Sequence, residues 1–190
     1  MIRLTDQFEF PYKLDTRPID KGVPQQWGYG YSRPVTKREL WRPATRYVVR
    51  DKRNPRGYRI VRLKPGAYYC SDHGRLFSTA AQDVINKGRK HRRNETHLLD
   101  EDNNDIHVRL YKLLLDNWIE PPDHLRNIIY SLANTINHRD GNCWRDQLDN
   151  LQYSPAWMNS EHMHALYRTG QKKRKRKNRQ RQNKQQKPPA

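Results

Sequence analysis

Two cysteines in 190 residues, Cys70 and Cys143, set the first limit on this chain. They stand far apart and no CxxC occurs, so neither a disulfide framework nor a structural zinc site has support in the sequence. Long apolar runs are missing too. No stretch approaches the roughly 20 apolar residues of a membrane-spanning helix, and Met1-Ile2-Arg3-Leu4-Thr5-Asp6 lacks the apolar centre of a signal peptide. The expectation is a cytoplasmic protein with no membrane partner. Hydrophobic residues reach only 34% against 31% charged, so a core has to be small and to lean on aromatics. Acidic residues are scarce as well, 20 against 38 Lys and Arg, a net charge of +18 that favours a polyanionic partner.

That excess is unevenly placed. Arg168 to Lys187 holds 11 Lys or Arg and no acidic residue, which leaves 27 basic and 20 acidic residues elsewhere, or +7. Residues 168–190 therefore read as a basic tail, disordered in isolation, that binds polyanions with little sequence choice. At the other end, residues 1–43 read as an irregular arm rich in aromatics and prolines. It either packs its rings across the body or contacts nucleic acid through Arg17, Arg33, Lys37 and Arg38.

Residues 44–104 read as β-rich. Arg46–Arg50 and Tyr58–Leu63 are β-branched, partly alternating runs around the turn signal Asn54-Pro55-Arg56-Gly57, which predicts a basic hairpin. The run Lys87–Arg93 offers Arg89, Lys90, Arg92 and Arg93 as phosphate contacts. From Asp105 to Ile119, apolar residues Ile106, Leu110, Leu113, Leu114 and Trp118 recur at helical spacing. Asn104 or Asp105 would cap that helix and Pro121-Pro122 would end it. A second helix is predicted over Asp123–Ala133.

The chemistry is concentrated in Ile136–His164. A short strand ends at Asn137-His138, Arg139-Asp140-Gly141-Asn142 is a turn signal, Leu151–Tyr153 is a second strand, and a helix begins near Ser154-Pro155. Folded so, His138 and Asn159 occupy opposite walls of one cleft. His162 and His164, at i and i+2, fall on different helix faces and are expected at the surface. His107 is expected at the surface or facing nucleic acid, near a helix start.

This stretch resembles the HNH endonucleases, in their phage homing-endonuclease branch, through Asn137-His138-Arg139-Asp140-Gly141-Asn142, Asn150-Leu151-Gln152-Tyr153, Ser154-Pro155 and Asn159. Ala67–Ser78, with Asp72, Gly74 and Arg75, resembles the small DNA-binding module that often precedes the nuclease in that family. The resemblance implies an α+β fold: a ββα-metal (HNH) nuclease core over 105–167, an upstream β-rich DNA-binding module over 44–104, and the disordered basic tail. It implies His138 as general base, with Asn137 and Asn159 as oxygen ligands of one divalent cation, Mg²⁺ or Mn²⁺. An amide at 137, where some relatives have aspartate, would hold a hard cation less tightly.

Asp140 and Asn150 are implied as structural residues of the motif, and Arg75 and Arg139 as DNA contacts beside the basic run. Tyr111 stands where a histidine is common. The function implied is metal-dependent hydrolysis of double-stranded DNA, as a nick or a double-strand break, by a monomer in the host-cell cytoplasm if phage-encoded. The alternative is a non-catalytic DNA- or RNA-binding protein on a degenerate HNH scaffold.

Overall fold

The computed structural model describes residues 10–51, 53–54, 57–85, 95–131 and 135–169. Arg89, Lys90, Arg92 and Arg93, the end of the second predicted helix and nearly all of the basic tail lie outside them. The described residues form a mixed α and β structure of small antiparallel sheets and three α-helices.

Helix α1, Leu110–Trp118, is the centre. Leu110, Leu113, Leu114, Leu115 and Trp118 are all at most 1% exposed, so the helix is buried on nearly every side rather than along one stripe. Its polar residues are buried with it and are bonded. Asp116 accepts from Lys112 Nζ at 2.7 and 2.9 Å, from the Val48 N–H at 2.8 Å and from the Tyr153 hydroxyl at 2.9 Å. Asn117 accepts from the Thr45 N–H at 2.8 Å and donates to the Arg46 and Leu113 carbonyls, each at 2.8 Å. Burial pulls the Lys112 ammonium below its ordinary pKa, although Asp116 opposes the shift.

The strand partner of these groups is β4, Arg46–Arg50, which pairs in register with β5, Tyr58–Arg62, as the hairpin that the alternation predicts. The predicted helix start at Asp105 is not one. Asp105–Arg109 is a strand, β10, paired with β9, Glu95–Leu99. The sequence Asp-Ile-His-Val-Arg alternates at period two, and Val108 is buried on one face while His107 is exposed on the other. The Ile106–Leu110 spacing imitates a helix only because α1 begins directly after the strand. Asn104 closes the β9–β10 turn instead of capping α1, its N–H bonding Asp100 Oδ1 at 2.8 Å. His107 is exposed three residues before α1, as expected of it, with Glu95 3.5 Å away.

Helix α2, Asp123–Ser131, follows the two prolines. The hairpin of β6, Tyr68–Ser71, and β7, Leu76–Ser78, is flanked by β3, Trp41–Pro43, and β8, Asp83–Val84. Arg75, expected on DNA, pairs here with Glu39 and lies over the rings of Trp41 and Tyr12 at 5.5 and 5.9 Å.

Of the segment expected to be an irregular arm over residues 1–43, the described part, residues 10–43, is built into the sheets. They supply β3 together with β1, Val23–Gln25, and β2, Gly28–Gly30. Phe10 and Tyr12 join Trp41, Tyr69 and Phe77 in an aromatic cluster. Arg17 and Arg33 pair with Asp15 and Asp20. The periodicity of this segment is poor because its strands are three residues long, too short for alternation to show. One hydrophobic cluster runs from Tyr29 through the leucines of α1 to Tyr153, and so crosses the boundary expected at 104/105. It is neither confined to aromatics nor small.

Candidate active site

Strands β11, Ile136–His138, and β12, Leu151–Tyr153, pair antiparallel, with Asn137 opposite Gln152 and His138 opposite Leu151. Strand β2 continues the sheet on the far side of β12, and helix α3, Ala156–Arg168, follows. Serine and proline end β12 and open the helix, with Pro155 at the extended cap position where a missing N–H costs no bond.

The loop between the strands is tied by side chains. Asn150 accepts from the Asp140 N–H at 3.0 Å and donates to Asp140 Oδ1 at 3.0 Å and to the Arg145 carbonyl at 2.8 Å. Asp140 also accepts from the Asn142 N–H at 2.7 Å. Burial alone would raise the Asp140 carboxyl, but the Asn142 N–H, the Asn150 amide and Arg145 outweigh it and hold the group below the ordinary carboxylate range. Gly141 takes a φ of 70°, which lets its N–H turn back onto the His138 carbonyl at 2.8 Å.

His138 is nearly buried at the end of β11. Its Nε2 lies 2.8 Å from Oδ1 of Asp146, itself 5% exposed, and the Tyr111 ring meets it edge-on at 5.7 Å. A carboxylate on Nε2 fixes the proton there and leaves Nδ1 as the basic nitrogen. Asp146 is anchored from outside the loop. The Leu148 N–H bonds the Asp72 carbonyl at 2.9 Å, and at Gly74, φ 88°, a Cβ would stand 2.8 Å from the Asp146 carbonyl oxygen. The β6–β7 turn is thus fitted against the loop that carries Asp146. No spacing rule points to Asp146, because the loop that brings it to His138 has no regular structure.

Asn137, 1% exposed, faces α3. The side chain it meets there is that of His162, whose Nδ1 lies 2.9 Å from Asn137 Oδ1, while Asn159 is half-buried one turn earlier. His162 was expected at the surface and is instead 3% exposed, stacked on Trp27 of the β1–β2 turn with centroids 5.2 Å apart. His164, on a different helix face, is exposed as expected; an i, i+2 spacing separates the two histidines without choosing which points inward. The signal lay in the three-residue step from Asn159 and the four-residue step to buried Leu166, which put all three on one side of the helix.

Asn137 Nδ2 is buried without a hydrogen-bond partner. Rotating that amide by half a turn lets its NH₂ donate to Nδ1 of a neutral His162 and leaves its oxygen as the atom without a partner. In that arrangement Asn137 can ligate a hard cation, so the residues present fit one. Among the described residues no group of three or more His, Cys, Asp or Glu side chains is placed to hold a metal ion, and the donors at this site are mainly amides.

Arg139 is exposed and donates to the Asp149 carbonyl at 3.0 Å. Cys70 is buried, and burial raises its thiol to about 12; Cys143 is exposed on the site loop. No described helix is long and apolar enough to cross a membrane.

No family model matches this chain, and no curated protein matches it. Among solved structures it is similar to one described as DNA binding and cleavage by the HNH homing endonuclease I-HmuI, at a TM-score of 0.42 and 17% identity. The alignment covers 66% of this chain and 66% of that one, just under two thirds of its length.

Proposed function

We propose that the protein is a metal-dependent endonuclease of the HNH type that hydrolyses phosphodiester bonds in DNA. The observation that carries this reading is the pairing of His138 with buried Asp146 at 2.8 Å, on the strand whose preceding residue, Asn137, is buried against His162. A histidine oriented by a carboxylate is suited to take a proton from water at neutral pH. Asn137, with Asn159 or His162 from α3, would hold a divalent cation such as Mg²⁺ or Mn²⁺. Bound there, the cation would supply charge stabilisation to a phosphate and to its leaving oxygen.

The chain's own residues do the rest. Asp146 holds the His138 ring in one tautomer, Tyr111 limits its tilt, and the Asp140–Asn150 bonds fix the loop that carries Asp146. Arg139 at the rim and the excess positive charge of the chain would draw the DNA backbone to this end of the sheet.

The test is conversion of supercoiled plasmid with Mg²⁺ or Mn²⁺ and with EDTA, comparing wild type with His138→Ala. Metal-dependent nicked or linear product from wild type, reduced by roughly 10²- to 10⁴-fold in the variant, is the expected result. Equal product from both would overturn the assignment of His138. Salt-sensitive binding with no product from any DNA, that of its own source included, would select the alternative, a nucleic-acid-binding protein on this scaffold.

A further inference from the structure

Beside the Asn137–His162 contact lies a cavity of about 370 Å³ whose lining includes Gln25, Trp27, Arg139, Gln152, His162 and Leu166. Gln152 is 1% exposed and neither its Oε1 nor its Nε2 has a hydrogen-bond partner. Gln25 Oε1 is buried without a partner as well, while its Nε2 donates to the Tyr31 carbonyl at 3.2 Å. Among the described residues, the other buried side-chain polar atoms without partners, Asn137 Nδ2 aside, belong to Trp118, Arg126, Tyr130 and Asp149. The amides are different, because Gln25 and Gln152 line one cavity and Asn137 is the cross-strand neighbour of Gln152.

Folding alone does not favour such a cluster, since a buried amide that bonds nothing is destabilising compared with a leucine of similar size. The cavity is bordered by Gln152, whose amide donor and acceptor lie side by side just beneath its wall and open to it on a small shift of the covering side chains, by a half-buried indole and, at its edge, by a guanidinium. Those are the complements of the three parts of a nucleotide: the edge of a base, its face and its phosphate.

We propose that this cavity receives one unstacked nucleobase of the bound DNA strand, adenine before the others. Gln152 reads its edge, Trp27 covers its face and Arg139 holds its phosphate. A base inside a duplex cannot reach an amide this deep, so the base enters only after leaving the stack. Adenine leads because it presents adjacent donor and acceptor atoms that a glutamine amide matches with two bonds. The pocket would set the register of the strand at Asn137, the cross-strand partner of Gln152 and one residue pair from His138, and so choose which phosphate lies at His138. In that last role the inference rests on the endonuclease reading; the pocket itself does not.

The experiment is the binding of single-stranded oligodeoxyadenylate and oligodeoxythymidylate of equal length, by fluorescence anisotropy in EDTA. The two carry the same backbone charge, so attraction to the basic tail cancels in the ratio of their affinities. Wild type should favour the adenylate by roughly tenfold, and Gln152→Leu should bring the ratio near one while leaving the melting temperature equal or higher. Trp27→Ala should weaken both oligonucleotides by roughly tenfold. Trp157→Ala, which removes an indole that is 61% exposed on α3, should change neither.

A ratio near one in wild type, or a ratio that survives Gln152→Leu, would overturn the proposal. So would a fall of several degrees in the melting temperature of Gln152→Leu, because it would mean that the amide is used by the fold. The outcome for the nuclease is read separately. An adenylate preference with no cleavage of any DNA, that of its own source included, leaves the pocket and removes the endonuclease, whereas cleavage without the preference does the reverse.

Discussion

Tyr153 and Gln152 are neighbours on β12 and point to opposite faces of its sheet, and the two faces treat buried polar groups differently. On the α1 face, the Tyr153 hydroxyl, the Asp116 carboxylate, the Lys112 ammonium and the Asn117 amide are all bonded to one another or to backbone, although the Trp118 indole N–H and the Tyr130 hydroxyl beside them are not. On the α3 face, the Gln152 amide has no partner and the Asn137 amide is only half satisfied. A buried polar network that is complete fixes a fold, and one that is incomplete leaves capacity for something that is not part of the chain. The same strand therefore serves as scaffold on one side and leaves open capacity on the other, with His138, opposite Leu151 and against Tyr111 of α1, at the edge of the first. The two functions should separate under substitution.

The strongest break is at Asp116. Asp116→Ala leaves the Lys112 charge buried without its counterion and frees the Tyr153 hydroxyl and the Val48 N–H, so a loss of about 3–5 kcal/mol is expected in denaturant melts. Plasmid cleavage by the fraction still folded should be intact. Lys112→Met with Asp116→Leu should recover much of the loss, since replacing both partners of a buried pair by apolar groups is often close to neutral. At the His138 end of the strand, Asp146→Asn should lower kcat by roughly 10- to 100-fold with KM little changed. The amide can still touch His138 Nε2 but no longer dictates which nitrogen carries the proton. A melting temperature that fell as far as that of Asp116→Ala would show Asp146 to be scaffold after all.

How far the sequence foretells these two faces differs as well. Both strands of the site, the start of α3, the β4–β5 hairpin and the burial of the leucines of α1 follow from turn chemistry and from apolar spacing, which act within a few residues. The inward turn of His162, the Asp146–His138 contact and the pairing of β2 with β12 depend on segments separated along the chain. His162 needs Trp27 from the β1–β2 turn and Asp146 needs the Gly74 turn, and neither partner leaves a trace in the local pattern. The misreading of Asp105–Arg109 has a different cause. Strand and helix adjoin there without a loop, so their two periods overlap in one window.

A smaller effect joins scaffold and site. Gly74→Ala places a side chain at a φ of 88° and a Cβ 2.8 Å from the Asp146 carbonyl oxygen. The backbone strain alone is worth about 1–2 kcal/mol. Unlike the two substitutions above, this one should lower the melting temperature and the cleavage rate together, because the turn it disturbs is what the Asp146 loop rests on. A loss of stability with unchanged cleavage would show that the upstream hairpin does not position Asp146.

The smallest effect is a pH dependence confined to the site loop. Asp140 is held below the ordinary carboxylate pKa, against the upward push of burial, by the Asn142 N–H, the Asn150 amide and Arg145. A carboxylate whose folded value lies below its unfolded one stabilises the folded state fully above the unfolded value of about 3.9, and that stabilisation fades as pH falls through the lowered folded value. The Arg145 contact is largely at the surface, so the contribution is below about 1 kcal/mol. Asp140→Asn should therefore melt slightly below wild type at pH 7, with the gap closing as the pH is taken down through the carboxylate range. A deficit for Asp140→Asn that was independent of pH would place the value of this side chain in its geometry, as a tie for the Asn150 amide and the Asn142 N–H, and not in its charge.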